Sequence, residues 1–137
     1  MRVQIALCNL ALCLGLAPIV LAQDAVKVDP KHYTVVSEND KVRIVKVHYG
    51  PGEKSVMHSH PNLVAVFLND SKGQFTFPDG KKQDITAKAG DAQYEDAVTH
   101  LPENTGTNGM DIILVELKGH SAKAKSTMKP ETKSEMK

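Results

Sequence analysis

Two histidines one residue apart, His58 and His60, open the apolar run VMHSHPNLVAVFL at residues 56–68. In an extended strand, residues i and i+2 share a face, so the two imidazoles point the same way. Neutral imidazole ligates iron, manganese, cobalt, nickel, copper and zinc, and two rings on one face suit one ion. Taken alone, such a pair equally describes two polar neighbours on a solvated strand. The surroundings narrow the choice. Gly52 precedes His58 by five intervening residues, Gly90-Asp91 opens a later segment that leads to His100, and Asn104 follows His100 after three more. The chain therefore reads G-x5-H-x-H, then G-D, then H-x3-N. His32 and His48 fall on expected strands without a paired partner, His120 lies near the C-terminal end, and a surface position is the expectation for each.

Other chemistries find less support. Ser55 and Ser59 flank the histidines, but no nucleophile-elbow pattern accompanies them. Gly50-Pro51-Gly52 has neither phosphate-loop nor dinucleotide spacing. Asp84, Asp91, Glu95 and Asp96 read as solvated strand ends. Both cysteines, Cys8 and Cys13, sit in the first 22 residues, so thiol catalysis, thiolate ligation and disulfides are excluded from the rest. Asn69-Asp70-Ser71 fits the N-glycosylation pattern.

The elements that must position the histidines are β throughout. HYTVVS and KVRIVKVHY alternate around the turn Glu38, Asn39, Asp40, a hairpin pattern. QFTF, KQDITA, AQYE, VTHLPEN and MDIILVELK follow, punctuated by Gly50-Pro51-Gly52, Pro78-Asp79-Gly80, Ala89-Gly90-Asp91 and TGTNG. No window shows helical periodicity. Short strands with turns at fairly regular spacing predict a sandwich or barrel.

The 137 residues suffice for one domain. Met1-Arg2, an almost wholly apolar stretch over residues 5–16 and Val20-Leu21-Ala22 read as a secretory signal peptide over residues 1–22, cleaved after Ala22. Pro18 argues against an uncleaved spanning helix, and no later run is long enough to cross a bilayer, so no stable membrane insertion is expected after cleavage. The expected location is secreted or periplasmic. Residues 23–118 carry 11 basic and 14 acidic side chains and hold the domain; residues 119–137 carry five lysines and two glutamates without apolar periodicity and read as a disordered Lys-rich tail. A domain with no basic stripe and few aromatics is not a nucleic-acid binder.

The two spaced motifs resemble those of the cupin superfamily, and more narrowly its small, exported, single-domain bacterial members. They bracket residues 52–104, about half of the chain left after cleavage. The resemblance implies an all-β, double-stranded β-helix of the jelly-roll kind. His58, His60 and His100 match the family's three metal-binding histidines, and Gly52, Gly90 and Asn104 match turn and scaffold positions. The family's carboxylate ligand is missing. Val64 and Ala65 stand where it usually falls, with Leu63 just before, and Glu95 and Ala97 replace a proline and a glycine often found ahead of the last histidine. By strand parity Val64 and Val66 face inward with the histidines unless a bulge intervenes, which puts a valine in the carboxylate's place.

Three arrangements stay open: a neutral three-histidine site, substitution by Glu95 or Glu103, and histidines that line a pocket without a metal. The first hypothesis is a metal-dependent, dioxygenase-like oxygenase, an isomerase or a lyase. It would act on a small organic molecule in a pocket lined by Val64, Val66, Phe75 or Phe77, with Glu95 or Glu103 as catalytic acid–base partner. The cofactor would be a divalent transition metal, iron(II) foremost among iron, manganese, nickel, copper and zinc. The second is a non-catalytic periplasmic small-molecule or metal-binding module, and the third a structural barrel. Assembly is open, with residues 33–36 a candidate edge for a homodimer.

Overall fold

A computed structural model describes residues 23–119, so the expected signal peptide and nearly all of the Lys-rich tail lie outside the described residues. The described residues open with one four-residue helix, α1 (Ala25–Val28), not foreseen from periodicity. Asp24 caps it by accepting from the Val26 and Lys27 backbone N–H groups. Nine strands follow: β1 (Tyr33–Glu38), β2 (Val42–Tyr49), β3 (His58–His60), β4 (Leu63–Phe67), β5 (Ser71–Thr76), β6 (Lys82–Ala87), β7 (Ala92–Glu95), β8 (Val98–Asn104) and β9 (Met110–Leu117). They form two antiparallel sheets, ordered β1-β2-β9-β4-β7 and β3-β8-β5-β6. This is the jelly-roll architecture that the resemblance of the two motifs implies.

The β1–β2 hairpin turns on Asn39, whose side-chain oxygen accepts from the Lys41 and Val42 N–H groups. Gly52, Gly80 and Gly90 occupy the left-handed region at three of the expected turns. Gly52 also ties the two motifs together. Its N–H donates to the Asn104 carbonyl, and the Asn104 N–H donates to the Glu53 carbonyl. The buried Asn104 amide donates to the Tyr49, Gly50 and Asn108 carbonyls, while its oxygen accepts from the Gly106 N–H. Asn104 thus satisfies backbone groups in residues 49–53 and in residues 106–108.

Residues 56–68 are two strands rather than one. Pro61 and Asn62 carry the chain from one sheet to the other, between β3 and β4. The parity of the histidines is therefore not inherited. Leu63, Ala65 and Phe67 turn inward, whereas Val64 and Val66 lie on the opposite side of β4. The core gathers Tyr33, Val45, Val47, Tyr49, Leu63 and Leu114 between the sheets. Each fully buried large side chain there contributes about 1.5–3 kcal/mol relative to exposure, which lets the domain fold without disulfides.

Candidate metal centre

The β3–β8 pairing sets His58 directly opposite His100, and strand alternation adds His60 on the same face of β3. All three rings are buried, at 1%, 5% and 4% exposure for His58, His60 and His100. Ring centroids are 4.8 Å apart for His58–His60, 5.2 Å for His58–His100 and 5.5 Å for His60–His100. One nitrogen from each lies within 4.8 Å of the others. Among the described residues this is the one group of three ligating side chains close enough to share an ion.

The outer hydrogen bonds fix the tautomers. His58 Nδ1 donates to the Val56 carbonyl at 2.8 Å, so its Nε2 carries the lone pair. Ser55 Oγ donates to Asp29 and sits 3.2 Å from the same Nδ1. His60 Nδ1 donates to Glu116 Oε1 at 2.7 Å, which turns its Nε2 toward His58. The two Nε2 atoms then face one another at 3.0 Å. Two ring nitrogens at that separation need a proton or a metal ion to hold them together. His100 adds a second sign: neither of its ring nitrogens has a hydrogen-bond partner, although both are buried. An unpaired buried polar group costs about 1–3 kcal/mol, a cost that coordination removes. Burial, and then the charge of His60, holds His58 down to about 4. Burial, and then the neighbouring rings, holds His100 down to about 3. At neutral pH both are uncharged and fit to ligate. Three imidazole nitrogen donors suit a divalent transition metal and disfavour magnesium and calcium.

A carboxylate does stand beside the site, from a strand the motifs do not include. Glu116 is 1% exposed and lies next to Leu63 in the β4–β9 register. It holds His60 on one oxygen and Arg43 Nε on the other at 2.5 Å, and Arg43 reaches on to Asp24 at 2.6 Å. Burial alone would raise the Glu116 carboxyl, but the hydrogen bonds from His60 and Arg43 carry it below its ordinary value. Glu116 orients the His60 ring and raises its basicity as a ligand. It was legible in the sequence as the sole charge on the inward face of MDIILVEL, in step with Met110, Ile112 and Leu114.

Tyr33 was not legible as a site residue. Its buried hydroxyl lies 3.1 Å from His58 Nε2 and accepts from the Tyr49 hydroxyl at 2.7 Å. Burial, with Tyr49 next to it, pushes the Tyr33 phenol well above its ordinary value, so it is protonated.

Glu95 borders the interior cavity opposite Leu63, hydrogen-bonded to Gln93 at 3.1 Å, and burial raises its carboxyl. Glu103 also borders the cavity, but three residues past His100 it falls on the alternate side of β8, opposite Gln74 in register. The cavity measures about 40 Å³ and is lined chiefly by apolar side chains, among them Leu63, Phe67, Phe75 and Leu114. Val64 and Val66, expected there, are displaced by Leu63, Ala65 and Phe67 because the chain changes sheets at Pro61. Phe75 lines the cavity and packs on His100 at 4.2 Å between centroids. Phe77 instead faces an outer groove shared with Tyr94 and Asp96. His32, expected at the surface, is 7% exposed. Its Nδ1 meets Asp29 at 2.7 Å, its Nε2 meets Glu53 at 3.3 Å, and its ring stacks on Tyr49. His48 is exposed as expected and pairs with Asp111.

No family model and no curated protein sequence matches the chain. Among solved structures it is similar to a cupin domain from Bordetella pertussis Tohama I, with 20% identity over 64% of this chain and 92% of that one and a TM-score of 0.59. It is also similar to an RmlC-like cupin family protein with a double-stranded β-helix fold from Methanocaldococcus jannaschii, with 14% identity over 62% and 77% of the two chains and a TM-score of 0.51. At these identities the likeness speaks for the fold alone.

Proposed function

We propose that this chain of cupin fold is an exported protein that holds a divalent transition metal through His58, His60 and His100 and presents it to a small organic molecule. The observation that carries the reading is the convergence of three buried imidazoles, one of them with no other partner for either ring nitrogen. The bound metal would supply Lewis acidity or oxygen activation, in dioxygenase-like, isomerase or lyase chemistry. The residues of the chain divide the remaining work. Glu116 and the Val56 carbonyl hold two of the rings in ligating orientation. Leu63, Phe67 and Phe75 exclude water. Glu95 is the carboxyl at the cavity whose raised proton affinity suits acid–base work.

A second reading has its own support. The cavity of about 40 Å³ leaves room for little beyond a few atoms, which favours a non-catalytic metal- or small-molecule-binding module. Oxygen uptake by iron(II)-loaded protein, screened with diketones, thiols and phenols, separates the two. Turnover lost in His100→Ala supports the enzyme, and metal retention without turnover supports the binder.

Export rests on residues 1–22 and is checked by N-terminal sequencing of protein from the medium or periplasm, which should begin at Gln23. A homodimer would use the β1 edge, where Val36 is 61% exposed, and sedimentation velocity decides it.

A further inference from the structure

The cavity of about 40 Å³ beside the histidines holds only a few atoms, so the body of any larger ligand must rest elsewhere. One sheet ends on β7 and the other on β6, and between these edges runs a groove of about 450 Å³, a space of ligand size. Phe75, Ile85 and Glu95 line both the groove and the inner cavity, so the two spaces share a wall. Behind that wall Phe75 packs on His100, the buried ring with no partner for either nitrogen. A molecule in the groove is therefore separated from the metal centre by a single layer of side chains.

The groove has two kinds of lining. Its aromatic faces are Phe75, Phe77 and Tyr94, with the two phenylalanine rings edge to face at 6.5 Å and Tyr94 55% exposed. Its charged groups are Asp84, Glu95 and Asp96, and no lysine, arginine or histidine among the described residues lines it. Most carboxylates among the described residues pair with a basic side chain. These three meet only neutral donors: Gln74 on Asp84 at 2.8 Å, Gln93 on Glu95 at 3.1 Å and the Tyr94 hydroxyl on Asp96 at 3.2 Å. Carboxylates without counter-charge in one concave space make a negative field that the cleft focuses. The rings attract a cation over their faces and accept apolar surface as well. A bare metal ion uses only the first lining and a neutral molecule only the second, whereas an organic cation uses both. We propose that the groove seats a small organic amine in its ammonium form, its charged end on the carboxylates and its apolar body along the rings toward the shared wall, so that the substrate class of the metal centre is an amine. This rests on the metal reading above and deepens it.

The test titrates metal-free protein with benzylamine and with benzyl alcohol, its neutral counterpart, and follows the backbone amide signals by NMR. Benzylamine should shift the signals of residues 83–86 and 93–96. It should bind at least about tenfold more tightly than the alcohol, through charge attraction and cation–π contact. Asp84→Asn and Asp96→Asn should each weaken benzylamine roughly two- to fivefold, the worth of an exposed ion pair, and leave the alcohol as it is. Raising the salt from about 0.01 M to about 1 M should weaken the amine alone, and this arm needs no variant. Equal affinities for amine and alcohol, shifts confined to other residues, or an amine affinity that neither the variants nor salt reduces overturns the proposal. If replacing the five lysines of residues 119–137 with glutamine tightens benzylamine, the groove belongs to the chain's own cationic segment and the small-amine proposal falls. Repeating the titration with cobalt(II)-loaded and zinc(II)-loaded protein tests the link to the centre. Paramagnetic cobalt should broaden the benzylamine resonances that zinc leaves sharp, and equal spectra refute the amine as the substrate class of the centre. Failure to take up either metal overturns the metal reading itself, while the metal-free titration still decides the groove.

Discussion

Replacing Glu116 with glutamine separates the two tasks given to this side chain. The carboxylate is 1% exposed and accepts from two donors, His60 Nδ1 at 2.7 Å and Arg43 Nε at 2.5 Å. Glutamine has nearly the same shape but one acceptor oxygen, and its amide hydrogens would confront the second N–H. Removing one partner of a buried ion pair costs about 3–5 kcal/mol. Arg43 keeps Asp24 at 2.6 Å and its side chain is 16% exposed, so the low end applies: about 3 kcal/mol lost from the metal-free protein in urea denaturation. Metal affinity should fall about 10- to 100-fold, the usual effect of losing the group that orients a histidine ligand. A competition titration against a chromophoric chelator reads that loss. Adding Arg43→Gln removes the stranded guanidinium and should return part of the stability, yet none of the metal affinity. A Glu116→Gln protein with wild-type metal affinity would refute the orienting role. One with unchanged stability would refute the buried ion pair.

Two further predictions follow from the same geometry. His58 and His100 have folded-state pKa values of about 4 and about 3 against an ordinary 6.5, so above pH 6.5 neither the folded nor the unfolded chain binds a proton there. Below it the unfolded chain takes up protons that the folded one excludes, and stability falls with pH. The loss should reach about 2–4 kcal/mol between pH 7 and pH 5 for the metal-free protein, checked by denaturation at both, and a flat profile would contradict buried neutral rings. Asn104→Ala should remove about 3 kcal/mol, since it leaves the Tyr49, Gly50 and Asn108 carbonyls without their shared donor, while metal stoichiometry at saturating metal stays that of wild type.

Much of this was legible from residue types and spacing. The hairpin at Asn39 and the turns at Gly52, Gly80 and Gly90 announce themselves because only certain residues tolerate those backbone shapes. The shared face of His58 and His60 was legible from strand alternation, whereas the joining of His100 to them came from the resemblance of the two motifs to those of a known family. The lining of the cavity was not, because Pro61 and Asn62 pass the chain between sheets and break the alternation on which the reading of Val64 and Val66 relied. Glu116 carried a readable signal, an inward charge within an apolar strand, but its partner His60 lies 56 residues away. Tyr33 and His32 carried none. Their roles come from contacts across 25 and 21 residues, with His58 and Glu53, that no local pattern encodes.

The most direct test is the metal content of protein purified without a histidine tag, set beside a variant with alanine at His58, His60 and His100. About one transition metal per chain in the native protein and none in the variant is the expected result, with added metal raising the melting temperature of the native protein alone. Protein that neither retains metal nor gains thermal stability from iron(II), cobalt(II), nickel(II) or zinc(II), or a variant that behaves as the native chain does, would contradict the three-histidine site.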